Sequence, residues 1–143
     1  MNKKEIFEFL NTHGVAALAT IDGEKPCVRY VWTVKSDEDG ILFHTGKHKD
    51  LYTQLTANPN VEMCFVNEDK SVQIRVAGTA RLLEDPALKQ ELAEQRPFLK
   101  AIARNTGGSL DFLSIFLLEK GTATIWTMES NMNPEPKTYI ELT

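Results

Sequence analysis

VAALATIDGEKPCVRYVWTV, residues 15–34, decides how this chain is built. Apolar residues recur at every second position, Asp22-Gly23 interrupts them, and the alternation resumes, which is the pattern of a strand, a tight turn and a second strand. Upstream the period is helical. Asn2 stands three residues before Glu5 at capping-box spacing, and Ile6, Phe9 and Leu10 form an apolar face ending near His13-Gly14. Downstream, SDEDG (36–40) is a second turn, leading into the strand ILFHT (41–45). A short helix is expected from about His48 to Ala57, stopped by Asn58-Pro59. VEMCFV (61–66), the turn NEDKS (67–71) and the long strand VQIRVAGTARLL (72–83) follow. Asp85-Pro86 opens a helix carried to about Arg104, with Leu88, Leu92, Phe98 and Ile102 as its buried positions. After a glycine-bearing loop, LSIFLLEKGTATIWTM (113–128) reads as a hairpin turning at Glu119-Lys120-Gly121. The tail from Met128 has two prolines and no clear period. Strands in hairpin order with helices at the seams favour a small antiparallel barrel, because closure removes exposed edges.

With 143 residues, 42% of them hydrophobic, no repeat and no low-complexity linker, the chain reads as one domain, 1–143. A net charge of −4 argues against general affinity for nucleic acid or an anionic membrane. No apolar run approaches the ~18 residues of a transmembrane helix, and MNKKEIFEFLN has no signal-peptide pattern, so a cytoplasmic protein is expected. Cys27 and Cys64 are read as reduced thiols packed in the core.

Basic residues that cluster in an acidic chain suggest a local anion site. Lys47, His48 and Lys49 crowd the start of a short helix, where positive charge opposes the helix dipole. A phosphate there resolves the conflict: backbone N–H groups and Lys49 hold it, and Thr45 donates its hydroxyl. The bland reading is a solvated turn with its lysines in water. Arg29 alternates with Val31 on one face of its strand and is read either as a rim arginine or as one aimed at a ligand phosphate. His44 and His48 span a strand end and a loop with no carboxylate at zinc-ligand spacing, so no metal site is expected, although one histidine suffices for haem. Gln73 and Arg75 face away from Ile74, toward solvent or a subunit interface, and Gly78 marks a bulge or a close backbone approach. Trp126 is read as core, interface anchor or stacking surface. Neither a P-loop nor a GxGxxG fingerprint occurs.

Taken together, LATIDGEKPCVRYVW, ILFHTGKHKDLYTQLTANPNVEMCF and VQIRVAGTARLLED resemble the pyridoxamine 5′-phosphate oxidase-like, FMN-binding split-barrel superfamily, nearest its short general-stress and nitroimidazole-resistance (Nim) members. The resemblance covers nearly the whole chain. It implies a mainly β fold with flanking helices, a six- to seven-stranded antiparallel split β-barrel. It implies FMN as cofactor, with Arg29 on the flavin phosphate side and Tyr30, Val31 and Trp32 as the strand beside the ring. His44 and Thr45 match the pair at the end of the next strand, Lys49 matches the phosphate lysine with His48 beside it, and Gln73 reaches the flavin across a two-fold homodimer. Trp126 matches a region where such proteins place an aromatic near the cofactor. A small flat acceptor, a quinone or nitro-aromatic, and a reduced nicotinamide donor are the implied reactants; a flavin carrier or sensor, a haem-binding relative and a deazaflavin reductase are the alternatives. The chain departs from true pyridoxamine phosphate oxidases. Lys47-His48-Lys49 stands in place of a Ser-Arg-Lys run, no arginine follows Arg104 and no histidine follows His48, which points away from pyridoxamine phosphate as substrate.

Overall fold

The computed structural model describes residues 1–143. Helix α1 (Lys3–Thr12) starts as its spacing requires, with the Glu5 amide donating to Asn2 Oδ1 at 2.9 Å. Strands β1 (Val15–Asp22) and β2 (Lys25–Trp32) form the expected hairpin, and Gly23 supplies the positive φ of its tight turn. The chain then runs through β3 (Lys35–Asp37), β4 (Gly40–Gly46), α2 (Asp50–Ala57), β5 (Asn60–Val66) and β6 (Val72–Leu83). It ends with α3 (Pro86–Gln95), α4 (Pro97–Arg104), β7 (Leu113–Thr127), α5 (Met128–Met132) and β8 (Ile140–Glu141).

All strand pairs are antiparallel, in the order β2-β1-β5-β6-β7-β4-β3, with β8 added to β7. The mainly β, split-barrel expectation holds, and the strand count is eight because the short β3 and β8 join the sheet. The sheet curls but does not close. β2 ends one edge, and the chain passes directly from it to β3 on the other, so β2 approaches β4 without a ladder between them.

Inside the curl, Leu18, Phe43, Met63, Phe65, Ile74 and Phe116 pack with Ile6 and Leu10 of α1 and Leu55 of α2. A second cluster joins Leu92, Ala93 and Leu99 to Leu42, Leu113 and Ile115 on the far side of β4 and β7. β4 is therefore buried on both faces, which explains why ILF is a continuous apolar run.

Three expectations are corrected. β7 is one fifteen-residue strand and makes no hairpin. Lys120 takes a positive φ and the β6–β7 register shifts between Ala77 and Thr79, so the Glu119-Lys120-Gly121 turn signal is a bulge. A Cβ on Gly78 would lie 2.5 Å from the Glu119 carbonyl oxygen, the close approach that its sequence position suggested. The 85–104 helix is two helices, because a residue before proline is pushed out of the helical region and Arg96 precedes Pro97. The restart buries Leu99 and Ala103 and leaves Phe98 and Ile102 exposed. Lastly, neither cysteine is in the core: Cys27 faces a cleft and Cys64 the outside of the sheet, both half-buried and free. The tail is less loose than its sequence suggests, since Leu142 is buried in the main core and its amide donates to the Gly121 carbonyl.

Candidate functional site

The gap between β2 and β4 is a cleft of about 940 Å3, roofed by α4 and floored by the start of α2. Eight of the sequence-selected residues line it: Arg29, Tyr30, Val31, Trp32, His44, Thr45, His48 and Lys49. Each is placed by a local rule. Strand alternation turns Arg29 and Val31 inward, toward Leu18 and Ala16, their partners on β1. Thr45 shares the face of Phe43, whereas His44 points to the α3–α4 side. The His48 ring folds back over Gly46, where an added Cβ would meet it at 2.7 Å.

Lys49 is the N-cap of α2 and makes no side-chain cap bond. The amides of Asp50 and Leu51 find no protein acceptor, so the helix presents free N–H groups to the cleft. Neither Lys47, Lys49 nor Arg29 forms an ion pair. This end of the cleft is therefore a cationic cradle with unspent donors.

Arg29 is held in place. Its guanidinium donates to Thr20 Oγ1 at 2.6 Å, to Gln54 Oε1 and to the Leu18 carbonyl. Thr20 also donates to Gln54 Oε1, at 2.6 Å. Gln54 is buried on α2, and sequence reasoning missed it: on a short helix, a lone glutamine gives no signal until its neighbour across space is known.

The second omission is Arg96, whose side chain is only 6% exposed. It donates to the carbonyls of Trp32 and Thr33 at 2.8 and 2.7 Å, and its guanidinium lies 3.6 Å over the Trp32 ring. Arg96 Nη1 is also 2.9 Å from His44 Nε2. A guanidinium only donates, so Nε2 accepts and His44 carries its proton on Nδ1. Burial, then the charges of Arg96 and Lys49, lower the His44 pKa to about 4. His44 is neutral at physiological pH. The Arg96-Pro97 step was the available signal.

Gln73 and Trp126 are not in this cleft. They face each other directly across β6–β7 and line a separate cavity of about 690 Å3 with Arg75 and the tail. Between the two cavities runs the outer sheet face, where Val28 and Tyr30 are 70% and 77% exposed beside Ala19 and Ala17 of β1. Cys64 lies on the same face, its thiol 3.6 Å from Gln73 Oε1 and its pKa raised, chiefly by burial.

Comparison with known proteins agrees with this architecture. A NimC/NimA family protein from Clostridium acetobutylicum superposes with a TM-score of 0.74 at 26% identity, covering 98% of this chain and 94% of that one. General stress protein 26 from Bacillus anthracis gives a TM-score of 0.68 at 18% identity, with 98% of both chains covered. HutZ, the haem storage protein from Vibrio cholerae, gives 0.62 at 18% identity, covering 87% of this chain and 92% of that one. At such identities the last two speak for the fold alone. The family model for pyridoxamine 5′-phosphate oxidase matches residues 3–127, from the first helix to the end of β7, and by that match the chain belongs to the pyridoxamine 5′-phosphate oxidase family.

Proposed function

We propose that this chain is a cytoplasmic, homodimeric FMN-binding oxidoreductase that reduces a small flat acceptor. The observation that carries the reading is the cationic end of the β2–β4 cleft, where free α2 amides meet Lys49, His48, Thr45 and Arg29 with no carboxylate paired to the lysines or the arginine. A phosphate dianion supplies the missing charge and accepts the unspent N–H bonds. The β2 side of the cleft suits a flavin ring. Its volume lies at the upper end of the ~300–1,000 Å3 typical of ligand sites. One edge of β2 has no strand partner, which leaves backbone groups of the Tyr30–Trp32 segment, other than the Trp32 carbonyl already bonded to Arg96, for the polar edge of the ring.

Bound FMN supplies two-electron chemistry between a reduced nicotinamide and the acceptor. The chain's own groups anchor and orient. Lys49 and the α2 amides would hold the phosphate, and Gln54, Thr20 and the Leu18 carbonyl fix the Arg29 guanidinium at the cleft. His44, a candidate acid–base group on its unperturbed pKa, is not an acid at neutral pH, because it stays unprotonated there. Gln73 and Trp126 join the site only from a second copy. The exposed apolar face between the two cavities supports such a two-fold pairing, with each flavin contacted by the partner subunit's Gln73. Haem has less support, since His44 Nε2, the nitrogen that would bind its iron, already accepts from Arg96.

The test is the absorption spectrum of the purified protein with its bound molecule identified by mass, followed by oxidation of NADH or NADPH with a quinone. A flavin spectrum with quinone-dependent turnover is expected. A flavin spectrum without turnover with either nicotinamide would make the protein a carrier, and a Soret band would make it a haem protein.

A further inference from the structure

The cleft has two unlike ends. If a phosphate takes the cationic end and the flavin ring lies along the β2 edge, the α4 side of the cleft is left: Phe98 and Ile102, with Trp32 beside them. Phe98 and Ile102 stand one helical turn apart on α4, side by side, and are 45% and 43% exposed. They belong to neither core cluster; Leu99 and Ala103 are the buried residues of the adjoining side of the helix. The wall they form is fixed in place. Arg96, just before the first turn of α4, is bonded to the carbonyls of Trp32 and Thr33, pinning the helix to the end of β2. The Phe98 ring stacks near the Trp32 indole, with centroids 6.2 Å apart and planes 20° from parallel. Nothing on this wall offers a charge to a ligand: the Arg96 guanidinium is covered by the indole, and Lys100 is paired with Glu94.

We infer that Phe98, Ile102 and Trp32 form the acceptor-binding wall, and that Phe98 and Ile102 set its preference for flat, uncharged rings. This rests on the oxidoreductase reading of the same cleft. Such a ring packs on the exposed faces of the wall, excluding water from preorganised apolar surface, and needs no ion pair. An acceptor with a fixed charge would lose hydration there and gain no partner.

The experiment is equilibrium binding of duroquinone, a flat quinone with a fully substituted ring that does not add to the Cys27 thiol in the same cleft. The FMN-loaded protein is titrated, following the flavin absorbance, for the wild type, Phe98→Ala and Ile102→Ala. Quinone dissociation constants are expected to rise at least tenfold for Phe98→Ala and severalfold for Ile102→Ala, while FMN affinity stays within twofold of wild type. If Phe98→Ala fails to fold, Phe98→Leu keeps the bulk, loses the ring, and is expected to weaken quinone binding at least threefold. If the wild type takes up no FMN, the cofactor reading fails, and quenching of tryptophan fluorescence by duroquinone still reads the wall. Equal quinone affinity in wild type and variants, or no quinone binding by the wild type, overturns the inference.

Discussion

Lys49 shows how a residue unfavourable to its own helix becomes intelligible through a ligand. A cation at the N-cap of α2 opposes the helix dipole, yet it stands beside two free amides and pairs with no carboxylate. Lys49→Ala is expected to weaken FMN binding by about 1.5–3 kcal/mol, the worth of a charge-assisted phosphate contact, as read by isothermal titration. His44 makes a second prediction. Its folded pKa of about 4 lies below the 6.5 of an unperturbed histidine, so between those values the unfolded chain binds the extra proton. Stability is then fully present above pH 6.5 and falls with pH across that window, by on the order of 1–3 kcal/mol after allowing for partial solvent screening. Proton NMR should show His44 titrating near pH 4, and Arg96→Gln should raise that value only in part, because burial is the larger cause. At this scale the sequence was partly legible. Arg29, Thr45 and Lys49 announced themselves by type and position; Gln54 and Arg96 act through partners 25 and 52 or more residues away, which one-dimensional spacing does not carry.

Elements were legible where one local rule governed them and misread where two competed. The β1–β2 hairpin and the α1 cap follow from local residues and formed as read. At Glu119-Lys120-Gly121 the turn signal met a stronger demand: β6 is long enough to pair with both halves of β7, so the strand bends through a bulge and does not reverse. Apolar spacing alone ran one helix past Pro97, and the break turned Phe98 and Ile102 out of the core and into the cleft. The bulge predicts a specific weakness. Gly78→Ala would press a methyl group to 2.5 Å from the Glu119 carbonyl and 2.7 Å from Leu118 Cδ2. A loss of about 1–3 kcal/mol in urea unfolding is expected; unchanged stability would mean that the β6–β7 crossing has slack.

For the whole molecule, the question is why so much of the sheet's outer face is apolar. Val28 and Tyr30 stand exposed beside Ala19 and Ala17 of β1, and Val15 and Trp32 are exposed opposite each other. In the proposed dimer a second copy laid on this face would cover them and bring Gln73 and Trp126 toward a cleft that neither reaches in its own protomer. Val28→Asp, which places a charge at the middle of that face, should shift the protein from dimer to monomer in sedimentation and weaken FMN binding with it. The barrel was readable from the order of the strands, which argued for closure, whereas its open seam and the assembly were legible only through family resemblance, because solvent-facing and partner-facing residues alternate alike along a strand. The central claim, that the seam between β2 and β4 holds a flavin phosphate, is tested most directly by titrating the cofactor-stripped protein with FMN and with riboflavin and following flavin fluorescence. Saturable binding of FMN at one per protomer, at least tenfold tighter than riboflavin, is the predicted result. Equal affinity for the two, or none for either, would contradict it.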